Sequence, residues 1–194
     1  YFNFCKRIDM AYRNGNYCAF YVHEPFNENN LNANSTHDFV TYNLLRAWKS
    51  QDIDFPFFDS HGKTYNVRDG STWETLKQRL HERLSNSKNI ILILSSITIN
   101  SKALNEELDY GINGLGLPVV VIYREYSDKR YIANSTGINI YIQNLWNRVP
   151  ILASAIRNEK IATLHIPLSR SIITSALSNS DFMLDSQKTG CYYY

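Results

Sequence analysis

NIILILSSITINSKALNEELDYGINGLG, residues 89–116, is the stretch from which the fold can be read. Asn89 to Leu94 is an unbroken Ile and Leu run, too short to cross a membrane and β-branched enough to form a strand buried on both faces. Such a strand belongs in the middle of a parallel sheet. After Ser95 and Ser96 the chain turns, and a helix is predicted from Ser101, a good N-cap residue, to the stop at Gly114 and Gly116. Leu104, Leu108, Gly111 and Ile112 share its sheet-facing side. At about 100° per residue, Glu107 falls on the shoulder of that side and Glu106 points away from it. Glu107 is therefore the carboxylate expected to be half-desolvated at a strand's C-terminal end.

Working outward, Tyr17 to Val22 (YCAFYV) reads as a first buried strand, ending at His23, Glu24 and Pro25. The polar and aromatic residues 1–16 form a lead-in, with a short helix predicted around Phe4 to Tyr12. An asparagine-rich loop, 26–36, precedes a helix carrying Val40, Leu44, Leu45 and Trp48; loops of this length in compact domains commonly act as lids. Ile53 to Phe58 (IDFPFF) reads as a second strand, and Pro56 confines it to an edge because proline cannot donate to a ladder. A polar loop over 59–70 follows. Ser71 and Glu74 then form a capping box for a helix with Leu76, Leu80 and Leu84 at four-residue spacing.

Beyond the opening stretch, Leu117 to Tyr123 is a fourth buried run, and 124–137 reads as loop. A helix over 138–158 is divided by Pro150. Ile161 to Ile166 is a fifth strand, Leu168 to Leu177 a closing helix, and the tyrosine-rich tail has no evident structure. Strand and helix alternate, so right-handed crossovers give a flavodoxin-like, doubly wound, five-stranded parallel α/β sheet. The order 2-1-3-4-5 puts the Pro56 strand at the edge and the apolar runs inside. Ligands are then expected at the switch point, where His23 and Glu24 face Ser95, Ser96 and Glu107. Residues 17–166 form the domain, with 167–194 packed on it as a C-terminal helix and tail.

Composition narrows the function classes. The chain has 194 residues, 44% hydrophobic and 13% aromatic, enough for one substantial core. A net charge of +2 with intermixed signs gives no footprint for nucleic acid or an anionic membrane. Cys5, Cys18 and Cys191 lack paired or metal-ligand spacing, and no leader or membrane-length apolar run is evident, so the expected location is the cytoplasm and no metal is expected. There is no GxxxxGK[ST] phosphate loop; Gly111, Gly114 and Gly116 end a helix instead of following a strand. A phospho-acceptor receiver would need an aspartate where the third strand ends in two serines.

The same residues carry a family resemblance. Ser95-Ser96, Thr98 and Ser101 followed by ALNEEL resemble the TIR-domain pattern S-x-W-C-x-x-E-L, in which the glutamate aligns with Glu107 and the next residue with Leu108. AFYVHE at 19–24 looks like the first strand and its exit, and FFD at 57–59 like the second strand and its aspartate. NVRDGSTWETLKQRLHERLSNSKNIILILSS, 66–96, is similar to the TIR-like subfamily of bacterial Thoeris anti-phage defence. One position departs: the family's tryptophan is Ala103 here, and Trp73 is the candidate to replace it as a pocket wall.

The resemblance implies NAD+ as substrate, with no bound cofactor, cleaved at the nicotinamide–ribose bond to give an ADP-ribose-derived messenger. It implies Glu107 as the catalytic residue and substrate contacts from His23, Glu24, Asp59, Trp73, Ser95 and Leu104. Partners implied are a phage-derived trigger, a downstream effector and further copies of the chain. The alternative is a catalytically silent TIR-like module that acts by assembly.

Overall fold

The computed structural model describes residues 13–21, 37–61 and 72–194. Its frame is an all-parallel sheet of β1 (Gly15–Phe20), β2 (Ser87–Leu94), β3 (Val119–Tyr123), β6 (Ala162–Pro167) and β7 (Gly190–Tyr193), in that spatial order. Tyr17, Ile90, Val119, Thr163 and Cys191 lie in one register row. Because side chains alternate faces along a strand, neighbouring rows feed two separate cores. Ile90, Leu92 and Leu94 pack with Tyr17 against one helical layer, and Ile91 and Ile93 pack with Cys18 against the other. Covered on both sides, the central strands need apolar side chains toward both layers, and Ile90–Leu94 of β2 and the whole of β3 supply them.

The helices of the first layer are α2 (Trp73–Ser85), α3 (Lys102–Leu108), α4 (Ile140–Trp146) and α5 (Pro150–Arg157). The second layer comprises α1 (His37–Gln51) and α6 (Arg170–Ser178). A short hairpin, β4 (Ala133–Asn134) with β5 (Gly137–Ile138), lies in the stretch expected to be loop. Pro150 divides the predicted long helix by opening α5 at its first turn, where its missing N–H costs nothing. The α2 cap falls one residue later than the capping box suggested: the Thr72 hydroxyl accepts from the Thr75 N–H at 3.3 Å.

The two edges of the sheet differ from the sequence reading. The Pro56 segment lies beside β1 as expected of an edge, but it touches the sheet through an isolated parallel bridge, Asn16 to Asp59. Its backbone is committed elsewhere: Phe55 N–H donates to Asp52, Phe57 N–H to Phe55, and Lys49 Nζ takes the Ile53 and Phe55 carbonyls at 2.6 and 2.8 Å. At the other edge, the tail expected to be unstructured supplies β7, paired with β6 from Ala162–Gly190 to His165–Tyr193.

A buried polar bolt fixes the N-terminal end of the sheet. Asn16 Nδ2 donates to Asn89 Oδ1 at 2.8 Å, Asn89 Nδ2 donates to the Phe182 carbonyl at 3.0 Å, and Asn16 Oδ1 accepts from the Phe58 N–H at 2.7 Å. Both asparagines are fully buried, so their amides must be paired, and here they are. The bolt holds Asp59 and Ser60 against β1.

Candidate functional site

Ser101 opens α3, its hydroxyl accepting from the Leu104 N–H at 3.2 Å. The helix runs back antiparallel to the strands, so Glu107, six residues on, lies about 9 Å below the C-terminal rim of the sheet. Leu104 and Leu108, both buried, anchor the helix on β2 and leave Glu107 on the flank toward β1. There the fully buried Tyr17 donates its hydroxyl to Glu107 Oε1 at 2.9 Å. Glu107 thus meets the third residue of β1 instead of the strand ends where it was expected.

The electrostatics follow from this placement. Burial pushes the Glu107 carboxyl up to about 8, against the Tyr17 hydrogen bond and the charge of Arg83, which both pull it down. Burial likewise raises the Tyr17 hydroxyl well above its ordinary range, and the Glu107 charge adds to the effect, so Tyr17 remains a donor. Glu106 does not point into open solvent; it reaches α2, accepting from Lys77 at 3.1 Å and pairing with His81 Nε2 at 2.9 Å.

Asp59 stands on the other side of Tyr17. Its carboxylate accepts from the Tyr42 hydroxyl at 2.7 Å and the His61 N–H at 2.9 Å, and Arg46 lies 3.7 Å away. Burial pulls the Asp59 carboxyl upward, but the bonds from His61 and Tyr42 outweigh it and hold it below its ordinary value. The His61 ring packs on Tyr17 with centroids 4.7 Å apart, and its buried Nδ1, 3.3 Å from Asp59, lacks hydrogen-bond alignment. Glu107, Tyr17, His61 and Asp59 form one contiguous set. Tyr17, His61 and Tyr42 escaped the sequence reading because a tyrosine in a buried apolar run, or a histidine beyond an Asp turn, carries no distinguishing pattern.

Ser95 belongs to a different cluster at the rim. Its backbone N–H donates to Thr98 Oγ1 at 2.9 Å, and Thr98 Oγ1 donates to Asp38 Oδ2 at 3.1 Å. Burial raises the Asp38 carboxyl, opposed by Ser95, Thr98 and Arg124, and its Oδ1 is buried without a partner. Trp73, at the start of α2, holds the Lys102 ammonium 4.1 Å above its ring, next to Ala103. Leu104 is core, 1% exposed. His23 and Glu24, with the asparagine-rich loop, lie outside the described residues.

Among the described residues, no three His, Cys, Asp or Glu side chains are grouped to hold a metal ion, and no helix is long and apolar enough to cross a membrane. What the Glu107 set offers is one tunable carboxyl with a fixed donor, beside an aromatic-lined flank. A family model described as the TIR-like domain of the Thoeris protein ThsB matches residues 17–129, the span that holds β1 from Tyr17 on, the Asp59 segment, β2 and α3. That match covers more than half of the chain and every described residue of the Glu107 set, and on it the chain belongs to the Thoeris ThsB TIR-like family.

Proposed function

We propose that this defence-family chain cleaves NAD+ at the nicotinamide–ribose bond, with Glu107 as the catalytic carboxylate and Tyr17 as its positioning residue. The observation that supports this most directly is the half-buried Glu107 carboxyl held at 2.9 Å by a buried tyrosine hydroxyl. Nicotinamide leaves a pyridinium as a neutral molecule, so the general acid required by two-carboxylate glycosidases is unnecessary. The C1′–N bond breaks with its electron pair going to nicotinamide, and the ribose acquires oxocarbenium character. A carboxylate beside the ribose hydroxyls stabilises that cation most strongly where water is excluded.

The raised value of Glu107 is compatible with this role. Entry of the positively charged pyridinium favours the ionised carboxylate, so the substrate itself helps to generate the active form. Water, a nucleophile on the substrate or a nucleophile of a second molecule then captures the cation, giving respectively ADP-ribose, a cyclic product or a conjugate as the messenger for a separate effector. In this reading Asp59, Ser95, Trp73, His23 and Glu24 contact the substrate, and a phage-derived trigger acts through self-association of the chain.

Mass spectrometry of nucleotides from infected cells, wild type beside Glu107→Ala, tests the proposal. Loss of NAD+ and the rise of a new ADP-ribose species only with Glu107 intact supports it, and the product mass identifies the species. A second reading, a silent assembly module, draws on Ala103 standing where the family has tryptophan. Protection that survives Glu107→Ala with nucleotides unchanged selects that reading.

A further inference from the structure

A concave feature lies at the N-terminal end of β1, away from the sheet's C-terminal rim. It is a cleft of about 730 Å³, within the range of small-ligand pockets, whose lining includes Gly15, Phe58, Lys49, Arg79 and Arg83. Arg79 and Arg83 stand four residues apart on α2, so their like charges share one helix face, an arrangement that is unfavourable unless something offsets it. Among the described residues, neither has a carboxylate within ion-pair distance. Arg79 Nη1 is moreover buried with no hydrogen-bond partner, a costly condition for a charged donor.

Two ammonium groups add to the excess. Lys49 Nζ sits 4.4 Å and Lys88 Nζ 5.4 Å from the centre of the half-exposed Phe58 ring. Lys49 spends two of its three N–H donors on carbonyls, and Lys88 has no carboxylate partner among the described residues. Of the lining carboxylates, Asp59 is already matched by Arg46, Tyr42 and His61, and Glu82 accepts from Gln78. The carbonyl ends of α1 and α2 point this way and accommodate part of the cationic charge, but they leave the buried guanidinium nitrogen without a partner.

We infer that this cleft binds a small diphosphate-bearing anion, gripped by Arg79 and Arg83 with Lys49 beside them and Lys88 over the Phe58 ring. Paired guanidinium forks suit tetrahedral oxyanions, and a diphosphate carries enough charge to answer several cations at once. The inference does not rest on the proposed cleavage chemistry, although the cleft shares Asp59 with the proposed substrate contacts and Arg83 also acts on Glu107.

Isothermal titration calorimetry with inorganic pyrophosphate and with ADP, on wild type, the Arg79→Gln/Arg83→Gln double variant and Glu107→Gln, tests this. Saturable wild-type binding is expected, weakened by added KCl, at least tenfold weaker in the double variant and unchanged in Glu107→Gln. Equal affinity for the two probes makes the diphosphate the whole determinant, and tighter ADP binding adds the nucleoside to it. Thermal melts of the double variant separate lost binding from lost folding. The inference is overturned by no wild-type binding of either probe at millimolar concentration, by binding that the double variant retains, or by binding that Glu107→Gln abolishes.

Discussion

At Glu107, stability and activity pull in opposite directions with pH. Its folded value of about 8 lies above the ordinary 4.5, so the fold favours the protonated form. The stability this contributes is complete below 4.5 and is lost as pH rises through about 8. Glu107→Gln, which cannot ionise, is expected to melt at a higher temperature than wild type at pH 8 and to show little difference at pH 4.5; equal melting at both would refute the assignment. Proposed catalysis needs the ionised form, so kcat/KM should rise with pH to a midpoint near 8. Tyr17→Phe removes a bond that favours ionisation. It should move that midpoint to higher pH and lower kcat/KM at pH 7 by roughly ten- to a hundredfold, the value of one hydrogen bond to a charged group. A uniform loss without a shifted profile would reduce Tyr17 to packing.

Among the elements, α3 shows how local chemistry places a functional group. Ser101→Ala removes its cap and should cost about 1 kcal/mol, a fall in Tm of roughly 2–4 °C for a chain of this size. Directly after α3 the helix widens into a π-type turn, Asp109–Gly114, and there Gly111 approaches β2 so closely that an added Cβ would lie 2.4 Å from Ile90 Cδ1. Gly111→Ala should therefore cost about 1–3 kcal/mol through overpacking, and denaturant titration would show it. β2 and α3 were legible because a five-residue apolar run and an N-cap serine are strong local signals. The Pro56 segment was half legible: proline announced an edge, but the lysine that captures its carbonyls comes from α1, out of reach of any local pattern. β7 was not legible, since GCYY gains its strand character from β6 and has little of its own.

For the whole molecule, two desolvated groups bracket the pH range of stability. His165 is fully buried, its Nδ1 2.6 Å from the Tyr123 hydroxyl, and burial holds it at about 3, below the ordinary 6.5. It is neutral in the fold, so stability is complete above 6.5 and is lost as pH falls toward 3. Glu107 imposes the opposite trend above 4.5, and between 4.5 and 6.5 the two slopes cancel. Chemical denaturation across pH should show this plateau, with the acid-side slope reduced by one proton in His165→Gln. Fold class and the place of Glu107 on α3 could be read from sequence, while its partnership with Tyr17 could not, because it joins residues ninety apart through the sheet.

The Asn16–Asn89 bolt spans 73 residues, whereas β2 and β3 are joined through a single helix. Closing the longer loop carries the larger entropic cost, so the inner strands can assemble before β1 docks. Tyr17 arrives with β1. A refolding chain should then recover most of its secondary structure in an early kinetic phase and the Tyr17–Glu107 contact in a later one, making the competent site the last feature to mature.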